Sequence, residues 1–147
     1  MNNKKIIAII PARSGSKSIK DKNIVRYKGK PLIYHTIRAA LKSKLISRVI
    51  VSTDSKKYQK ISEKFGAEVP FLRPKKFSND NSIDYDYISH ATKFLIREKY
   101  YPDLIVLLRP TTPNREILVV DKGIKFFIKN LNSYDSMRSV SEFNQPA

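Results

Sequence analysis

Short apolar runs alternate with stretches in which apolar residues recur every three or four positions, and this alternation most limits the possible folds. Lys5–Ile10 (KIIAII) and Asp103–Leu108 (DLIVLL) are nearly continuous apolar runs, which are typical of strands buried on both faces. Pro31–Leu45 has apolar residues at helical spacing behind a proline, which is favoured in the first turn of a helix. The alternation predicts a three-layer α/β fold around a mostly parallel sheet.

The other elements are predicted on the same grounds, and no internal repeat or long linker divides them. We expect further strands at Ser47–Thr53, at Ala67–Leu72 on an edge and at Asp135–Val140, further helices at Ser55–Phe65, Ile83–Tyr100 and Glu116–Asn130, and a loop at Arg73–Ser82. Gly66 is expected to end the second helix. The tail Ser141–Ala147 follows without a closing helix. We therefore expect one α/β domain, residues 1–147, that lacks the C-terminal part of a longer fold.

Composition excludes several classes of protein. The chain has no cysteine, which rules out disulfides and thiol catalysis, and no apolar run approaches the ~20 residues of a membrane span. The apolar run near the N-terminus is too short for a signal peptide, so we expect a cytoplasmic protein. With 29 Lys and Arg against 13 Asp and Glu, the net charge is +16. Such a charge attracts anions such as phosphorylated metabolites or nucleic acid.

The first loop, Pro11–Asn23, has the composition of a phosphate site. In open parallel sheets, ligands bind beyond the carboxyl ends of the strands, and this loop directly follows the first strand. Arg13, Lys17, Lys20 and Lys22 surround the small residues Ser14-Gly15-Ser16, whose backbone N–H groups can approach an anion. The loop lacks the glycines of a Walker A motif and of a G-x-G-x-x-G motif.

Two other loops and one aspartate also lie at predicted strand ends. The segments are Arg73–Asp84, which contains Asp80 and Ser82, and Leu108–Arg115. Asp54 ends the VIVSTD run, where an aspartate can reach Mg²⁺ or a ribose, although a helix N-cap is the preferred interpretation. His35 and His90 have no carboxylate placed beside them by spacing, so we expect packed or surface histidines.

Five motifs in order resemble the acylneuraminate cytidylyltransferases. The motifs are PARSGSKSIKDKN after IIAII, KGKPLIYHTIRAA, VIVSTDS, GAEVPFLRP and LLRPTTPNR. This family comprises the CMP-sialic acid synthetases and bacterial relatives that act on legionaminic and pseudaminic acids. The resemblance covers essentially the whole chain, as the N-terminal part of a longer family pattern.

The resemblance implies a Rossmann-like nucleotide-diphospho-sugar transferase fold and a reaction. CTP and an acidic nine-carbon 2-keto sugar would give CMP-sugar and pyrophosphate, with Mg²⁺ as cofactor. It also implies a homodimer for the full-length family form, with no nucleic-acid partner and no membrane span. Because the family's metal-binding aspartates lie beyond residue 147, we expect little or no turnover from these residues alone.

The resemblance also implies site residues. Arg13, Ser16, Lys17, Lys22 and Asn23 match triphosphate-handling positions, with Arg13 and Lys22 assigned the catalytic role of stabilising charge on the leaving group. Arg109 stands where many sialic acid members carry Gln, and so resembles the legionaminic branch. Asp54 is the weak candidate metal ligand within the chain. The residues that match positions beside the nucleotide are Arg73, Asp84, Arg109, Thr111 and Thr112.

Three alternatives remain open from the sequence. The first is a ketodeoxyoctonate cytidylyltransferase, which also begins with a PAR-type loop. The second is an inactive CTP-binding fragment of a cytidylyltransferase. The third is a basic nucleic-acid-binding module, which predicts Arg, Lys and aromatic residues clustered on one face; here the distinctive residues follow strands instead, which favours a metabolite pocket.

Overall fold

The structure, a computed structural model, describes residues 4–140. Its regular elements are β1 (Ile6–Pro11), β2 (Arg26–Tyr27), β3 (Lys30–Pro31), α1 (Leu32–Leu41), β4 (Arg48–Ser52), α2 (Lys56–Lys64), α3 (Asp84–Arg97), β5 (Leu104–Leu107) and α4 (Ile117–Lys129). Short 3₁₀ turns lie at Lys22–Ile24 and Lys75–Phe77. Three strands form a parallel sheet in the order β4-β1-β5, and β2 pairs with β3 in an antiparallel hairpin.

The core lies on both faces of β1, the central strand. Ala8 and Ile10 pack with residues of α1 and α2, including Ile37 and Tyr58, and a residue of α4 packs against the same cluster. Ile7 and Ile9 belong to a second cluster with residues of α3. Alternate residues of a strand point to opposite faces, so a continuous apolar run is needed to serve both layers. The predicted three-layer α/β arrangement is confirmed.

The carboxyl ends of the three parallel strands meet at one edge of the sheet. Pro11 pairs with Ser52 in the register of β1 and β4. The backbone N–H of Ala12 donates to the carbonyl oxygen of Ser52 at 2.9 Å, and the backbone N–H of Leu108 donates to the carbonyl oxygen of Ile9 at 3.0 Å. The loops that follow β1, β4 and β5 therefore begin side by side.

Helix ends follow from specific local hydrogen bonds. The Ser55 hydroxyl caps α2 by accepting from the backbone N–H of Tyr58 at 3.3 Å, so the expectation of an Asp54 cap is wrong by one residue. Gly66, with φ +93°, ends α2 as predicted because its backbone conformation is one that other residues rarely adopt. Helix α1 stops at Leu41, four residues before the predicted end. Beyond it, the Ser43 hydroxyl accepts from the backbone N–H groups of Leu45 and Ile46, which therefore do not continue the helix.

Two predicted strands are not formed. Ala67–Leu72 makes only an isolated parallel bridge, between Glu68 and Ile50, and Pro70 has no N–H with which to extend it. Asp135–Val140 forms no strand and is exposed throughout, because no strand among residues 4–140 lies beside it as a partner. The predicted tail Ser141–Ala147 lies outside the described residues.

The β2–β3 hairpin was not predicted from the sequence. Its two-residue turn is Lys28-Gly29, with φ +47° and +76°. Turns of this kind require positive φ at both positions, and glycine supplies one of them readily. Lysine is an uncommon residue there, so the pair does not signal a hairpin as strongly as Asn-Gly would.

Candidate functional site

A cleft of about 270 Å³ lies at the carboxyl edge of the parallel sheet. A larger concavity along α2 is lined by residues of that helix alone and collects no converging polar groups. The cleft instead gathers charged and polar side chains from all three predicted loops. Its lining residues are Pro11, Arg13, Lys22, Asn23, Arg73, Asn79, Asp80, Ser82, Asp84, Tyr87, Arg109, Pro110 and Thr111.

The first loop is held at its beginning and its end. The carboxylate of Asp54 accepts from the backbone N–H of Ser14 at 2.8 Å and from its hydroxyl at 2.9 Å. The side-chain amide of Asn23, which is buried, donates to the carbonyl oxygen of Arg13 at 3.0 Å. Asp21 accepts from the Tyr58 hydroxyl at 2.9 Å. These contacts tie the loop to the end of β4, to α2 and to itself.

Two first-loop cations meet a carboxylate at the cleft. A guanidinium nitrogen of Arg13 lies 2.9 Å from one oxygen of Asp80, and Lys17 Nζ lies 2.5 Å from the other. The hydrogen bonds from Lys17 and Arg13 hold the pKa of Asp80 below its usual value of 3.8, so the carboxylate is ionised at neutral pH. These partners indicate that the two cations can hold an anionic group.

The other predicted triphosphate residues divide into two groups. Lys22 and Asn23 line the cleft. Ser16 does not; its backbone N–H donates to the carbonyl oxygen of Ser14 at 3.0 Å. The structure therefore brings Arg13, Lys22 and Asn23 to the cleft, with Lys17 beside it through Asp80, and leaves a role for Ser16 as a prediction.

Arg73 is buried in the wall of the cleft, with 5% of its surface exposed. Nε donates to the Ser52 hydroxyl at 3.0 Å, Nη2 donates to the Ser52 carbonyl oxygen, and Nη1 donates to the Phe77 carbonyl oxygen at 3.5 Å. Its guanidinium carbon lies 4.7 Å from the centroid of the Tyr87 ring. Burial lowers the pKa of Arg73 to about 10. No carboxylate among residues 4–140 forms a salt bridge with it.

The predicted base contact of Arg73 is constrained by this geometry. A guanidinium carries five N–H donors, and three of the donor positions already point at protein oxygens. A full bidentate fork toward a pyrimidine is thus not available from Arg73 in this arrangement. Single hydrogen bonds and the positive charge itself remain available to a ligand.

On the opposite wall, Arg109 and Asp84 form an ion pair. The second oxygen of Asp84 accepts from the Tyr87 hydroxyl at 2.6 Å, and the Tyr87 ring lies against Arg73. Burial and the Asp84 hydrogen bond raise the pKa of Tyr87, so its hydroxyl stays protonated and donating. The two arginines of the cleft are thereby linked through one acid and one tyrosine.

The predicted hydroxyl pair lies on the loop that follows β5. Thr111 and Thr112 are both exposed, and Thr111 lines the cleft. The backbone N–H of Thr112 donates to the Arg109 carbonyl oxygen at 3.3 Å, which stabilises a turn. The Arg115 side chain donates to the same carbonyl at 3.3 Å.

The described residues do not assemble a metal site. Asp54 uses both oxygens on Ser14, and Asp80 and Asp84 are each paired with arginine. No group of three or more His, Asp or Glu residues within 4–140 is arranged to hold a metal ion. These residues do not by themselves fit Mg²⁺, which prefers several free oxygen ligands.

The histidines are packed, as predicted. A ring nitrogen of His35 lies 2.8 Å from the Tyr27 carbonyl oxygen. His90 lies against Phe71 and Phe77, with ring centroids 4.8 and 6.0 Å away. Neither lines the cleft.

The sequence did not predict the contacts that support the site. Tyr87 follows Asp84 by three positions on a helix, a spacing that places side chains together and that would have indicated the contact. The Asp54–Ser14 bonds join residues 40 positions apart, for which the sequence contains no signal.

Within the described part of the chain, no helix combines the length and apolarity that a membrane span requires.

Comparison with known proteins adds independent findings. The family model described as "Cytidylyltransferase" matches residues 7–115. The chain is 38% identical over 143 residues to N-acylneuraminate cytidylyltransferase of Escherichia coli O18:K1:H7, covering 97% of this chain and 33% of that protein. It is 42% identical over 113 residues to CMP-N,N'-diacetyllegionaminic acid synthase of Legionella pneumophila, covering 76% and 48%. It is 34% identical over 144 residues to pseudaminic acid cytidylyltransferase of Campylobacter jejuni, covering 97% and 60%.

Among solved structures, one similar chain is CMP:2-keto-3-deoxy-manno-octonic acid synthetase complexed with CTP. The TM-score is 0.71 at 23% identity, covering 86% of this chain and 48% of that one, which supports the nucleotidyltransferase fold. The chain spans between a third and three-fifths of the length of the three curated relatives above. Because the family model covers well over half of the chain, this protein belongs to the cytidylyltransferase family.

Proposed function

We propose that this chain provides the CTP-binding part of a cytidylyltransferase that activates an acidic nine-carbon 2-keto sugar, of the sialic, legionaminic or pseudaminic type. We further propose that it forms a single α/β nucleotide-binding domain, which acts in the cytoplasm and, in its full-length form, as a homodimer.

One observation carries the proposal: the cleft contains a buried arginine without an acidic partner. Arg73 is 5% exposed and forms no salt bridge within residues 4–140. Burying an unpaired charge is unfavourable. Four cationic side chains line the cleft (Arg13, Lys22, Arg73 and Arg109) against two carboxylates (Asp80 and Asp84). An anionic ligand would balance this charge.

In the proposed reaction, the anomeric hydroxyl oxygen of the sugar attacks the α-phosphorus of CTP. The bond from that phosphorus to the bridging oxygen breaks, pyrophosphate leaves, and the hydroxyl proton passes to solvent or a base. Arg13 and Lys22 are the proposed catalytic residues because negative charge builds on the departing pyrophosphate and nearby cations stabilise it. Lys17, Asn23 and Ser16 would complete the phosphate contacts.

The nucleotide would extend toward the wall formed by Arg73, Asp84 and Arg109. Arg109 can only donate hydrogen bonds, and cytosine offers a carbonyl oxygen and a ring nitrogen as acceptors. Thr111 and Thr112 can both donate and accept. Mg²⁺ remains the proposed cofactor from the resemblance, although residues 4–140 do not assemble a site for it.

The decisive test is nucleotide competition. CTP is titrated into the purified chain by calorimetry, followed by UTP, ATP and GTP as competitors. We expect CTP to bind and the purines to compete poorly. Equal affinity for ATP would indicate phosphate binding without recognition of the base, and affinity for DNA with steep salt dependence but none for CTP would favour a nucleic-acid-binding module.

The acceptor is tested separately, by pyrophosphate release with Mg²⁺ and sialic, legionaminic, pseudaminic or ketodeoxyoctonic acid. Selective turnover of a nine-carbon acid supports the proposal. Selective turnover of the eight-carbon acid would favour the ketodeoxyoctonate alternative. CTP binding without turnover of any acid would identify a CTP-binding fragment, as the resemblance leads us to expect of these residues alone.

A further inference from the structure

Asp54 engages Ser14 through both carboxylate oxygens, at 2.8 Å to the backbone N–H and 2.9 Å to the hydroxyl. We propose that Asp54 is a positioning residue for anion binding: by holding Ser14, it fixes the backbone that presents Arg13 to the cleft. This inference rests on the proposed function, because it concerns the phosphate end of the same cleft.

The contacts around Arg13 show why Asp54 matters. On one side, the backbone N–H of Ala12 is bound to the Ser52 carbonyl oxygen at 2.9 Å. On the other, Ser14 is held by Asp54, and the carbonyl oxygen of Arg13 itself accepts from Asn23 at 3.0 Å. Residues 12–16 lie in neither helix nor strand, so no regular hydrogen-bond ladder stabilises them. Removing the Asp54 anchor releases one side of Arg13.

Holding the loop in place beforehand should strengthen binding. A loop that must be ordered when the ligand arrives loses conformational freedom at that moment, which reduces affinity. With Ser14 and Asn23 both engaged, the segment that carries Arg13 is already ordered. This gain in affinity should appear only for ligands that contact the first loop.

The charge of Asp54 makes the proposal sharply testable. A carboxylate beside a cationic loop repels phosphate, so charge alone predicts that its removal strengthens anion binding. Positioning predicts the opposite for Asp54→Ala, which removes both hydrogen bonds. Asp54→Asn separates the two effects: its oxygen can accept from the Ser14 N–H, and its amide can donate to the Ser14 hydroxyl.

The chain contains a matched control. Asp121 also accepts from a serine hydroxyl and a backbone N–H, at 2.5 Å from Ser43 Oγ and 3.3 Å from Lys44 N. Ser43 follows the end of α1, and neither residue lines the cleft. Asp121→Ala therefore removes similar bonds without touching the proposed site.

The experiment measures dissociation constants of CTP, cytidine and inorganic tripolyphosphate for the wild type and for the Asp54→Ala, Asp54→Asn, Ser14→Ala and Asp121→Ala variants. Because two hydrogen bonds to a charged acceptor are lost, Asp54→Ala should raise the dissociation constants of CTP and tripolyphosphate by about tenfold. Cytidine affinity should change by less than about twofold, since the nucleoside does not use the phosphate loop. Asp54→Asn should bind both anions at least as tightly as the wild type, and Asp121→Ala should match the wild type.

Two results would overturn the inference. Unchanged or tighter tripolyphosphate binding by Asp54→Ala would show that only charge matters. An equal loss in Asp54→Asn would show that the carboxylate charge itself is required, as for a metal ligand. If thermal melts show that Asp54→Ala does not fold, Ser14→Ala replaces it in the test. Because this variant loses one hydrogen bond, its affinity for tripolyphosphate should fall by about fivefold. An unchanged dissociation constant would contradict the inference.

Failure of the proposed function is distinguishable from failure of the inference. A wild type that binds tripolyphosphate but shows no preference for CTP would contradict cytidine recognition and still leave the Asp54 comparison valid. If the wild type binds CTP selectively and Asp54→Ala binds it equally tightly, the proposed function stands and Asp54 has no positioning role in it.

Discussion

The carboxylate of Asp80 lies 2.9 Å from a guanidinium nitrogen of Arg13. An acidic side chain of the protein thus lies against a cation that we assign to the triphosphate. Lys17 contacts the other oxygen of the same carboxylate. A phosphate group that approaches Arg13 and Lys17 must compete with Asp80, although all three side chains are partly exposed and the competition is weakened by solvent.

Asp80→Asn is therefore expected to bind CTP a few-fold more tightly than the wild type. The substitution leaves the loop intact and removes the competing negative charge. Calorimetric titration at low and high salt would measure the effect, which should shrink with salt because the interaction is exposed. Asp103→Asn is the control, because Asp103 immediately precedes β5 at the amino-terminal edge of the sheet, opposite the cleft. Weaker binding by Asp80→Asn would mean that Asp80 contacts the ligand or its metal.

Arg13→Ala should weaken CTP binding by about 1.5–3 kcal/mol, the range for a hydrogen bond to a charged group. The loss should also appear with tripolyphosphate and be absent with cytidine. Arg38→Ala, an exposed arginine on α1 that does not line the cleft, controls for overall charge. A folded Arg13→Ala protein with wild-type affinity for CTP would remove the first loop from the site.

Tyr87→Phe should lower the free energy of unfolding by about 1 kcal/mol, since it removes the hydrogen bond to Asp84 while keeping the ring against Arg73. Because Asp84 would then be held by Arg109 alone, CTP affinity should fall as well. Urea denaturation and calorimetry measure the two effects. Tyr85→Phe, on an exposed neighbouring position of α3, is the matched control. Stability equal to that of the wild type would mean that the Asp84 bond contributes nothing.

Acidification should destabilise the protein through His90. Burial, and then the positive charges of Arg73, Arg97 and Lys76, hold the pKa of His90 below its usual value of 6.5. Its Nδ1 is buried without a hydrogen-bond partner in the described structure. The unfolded chain therefore binds a proton at higher pH than the folded protein does. The contribution of neutral His90 to the free energy of unfolding is complete above pH 6.5, and it is lost as the pH falls toward the lowered pKa of the folded protein.

His90→Phe should remove part of this pH dependence, because phenylalanine keeps the contacts with Phe71 and Phe77 and does not titrate. Urea denaturation at about pH 7.5 and about pH 5.5, above the range of most carboxylates, gives the comparison. An equal loss of stability in wild type and variant would show that another group is responsible.

Much of the architecture follows from local patterns along the chain. The continuous apolar runs of β1 and β5 indicate strands covered on both faces, since alternate side chains must serve both layers of helices. The cations at Arg13, Lys22 and Arg109 could be expected at one cleft, because each follows a predicted strand and parallel strands end at a common edge. Ser55 begins α2 with a capping hydrogen bond, and Gly66 ends it with a backbone conformation that glycine adopts readily. Both depend on only a few neighbouring residues.

The order of the three parallel strands and the four helices along the chain, and the loops that carry the cations, thus follow from the sequence alone, because they depend on contacts within a few residues. Which side chains meet depends instead on the tertiary structure. Asp54 reaches Ser14 across 40 positions, and Arg73 commits its guanidinium to Ser52 across 21 positions. Asp135–Val140 has strand-like residues, but no strand in the described part of the chain pairs with it, and a strand exists only where a second one offers its N–H and C=O groups.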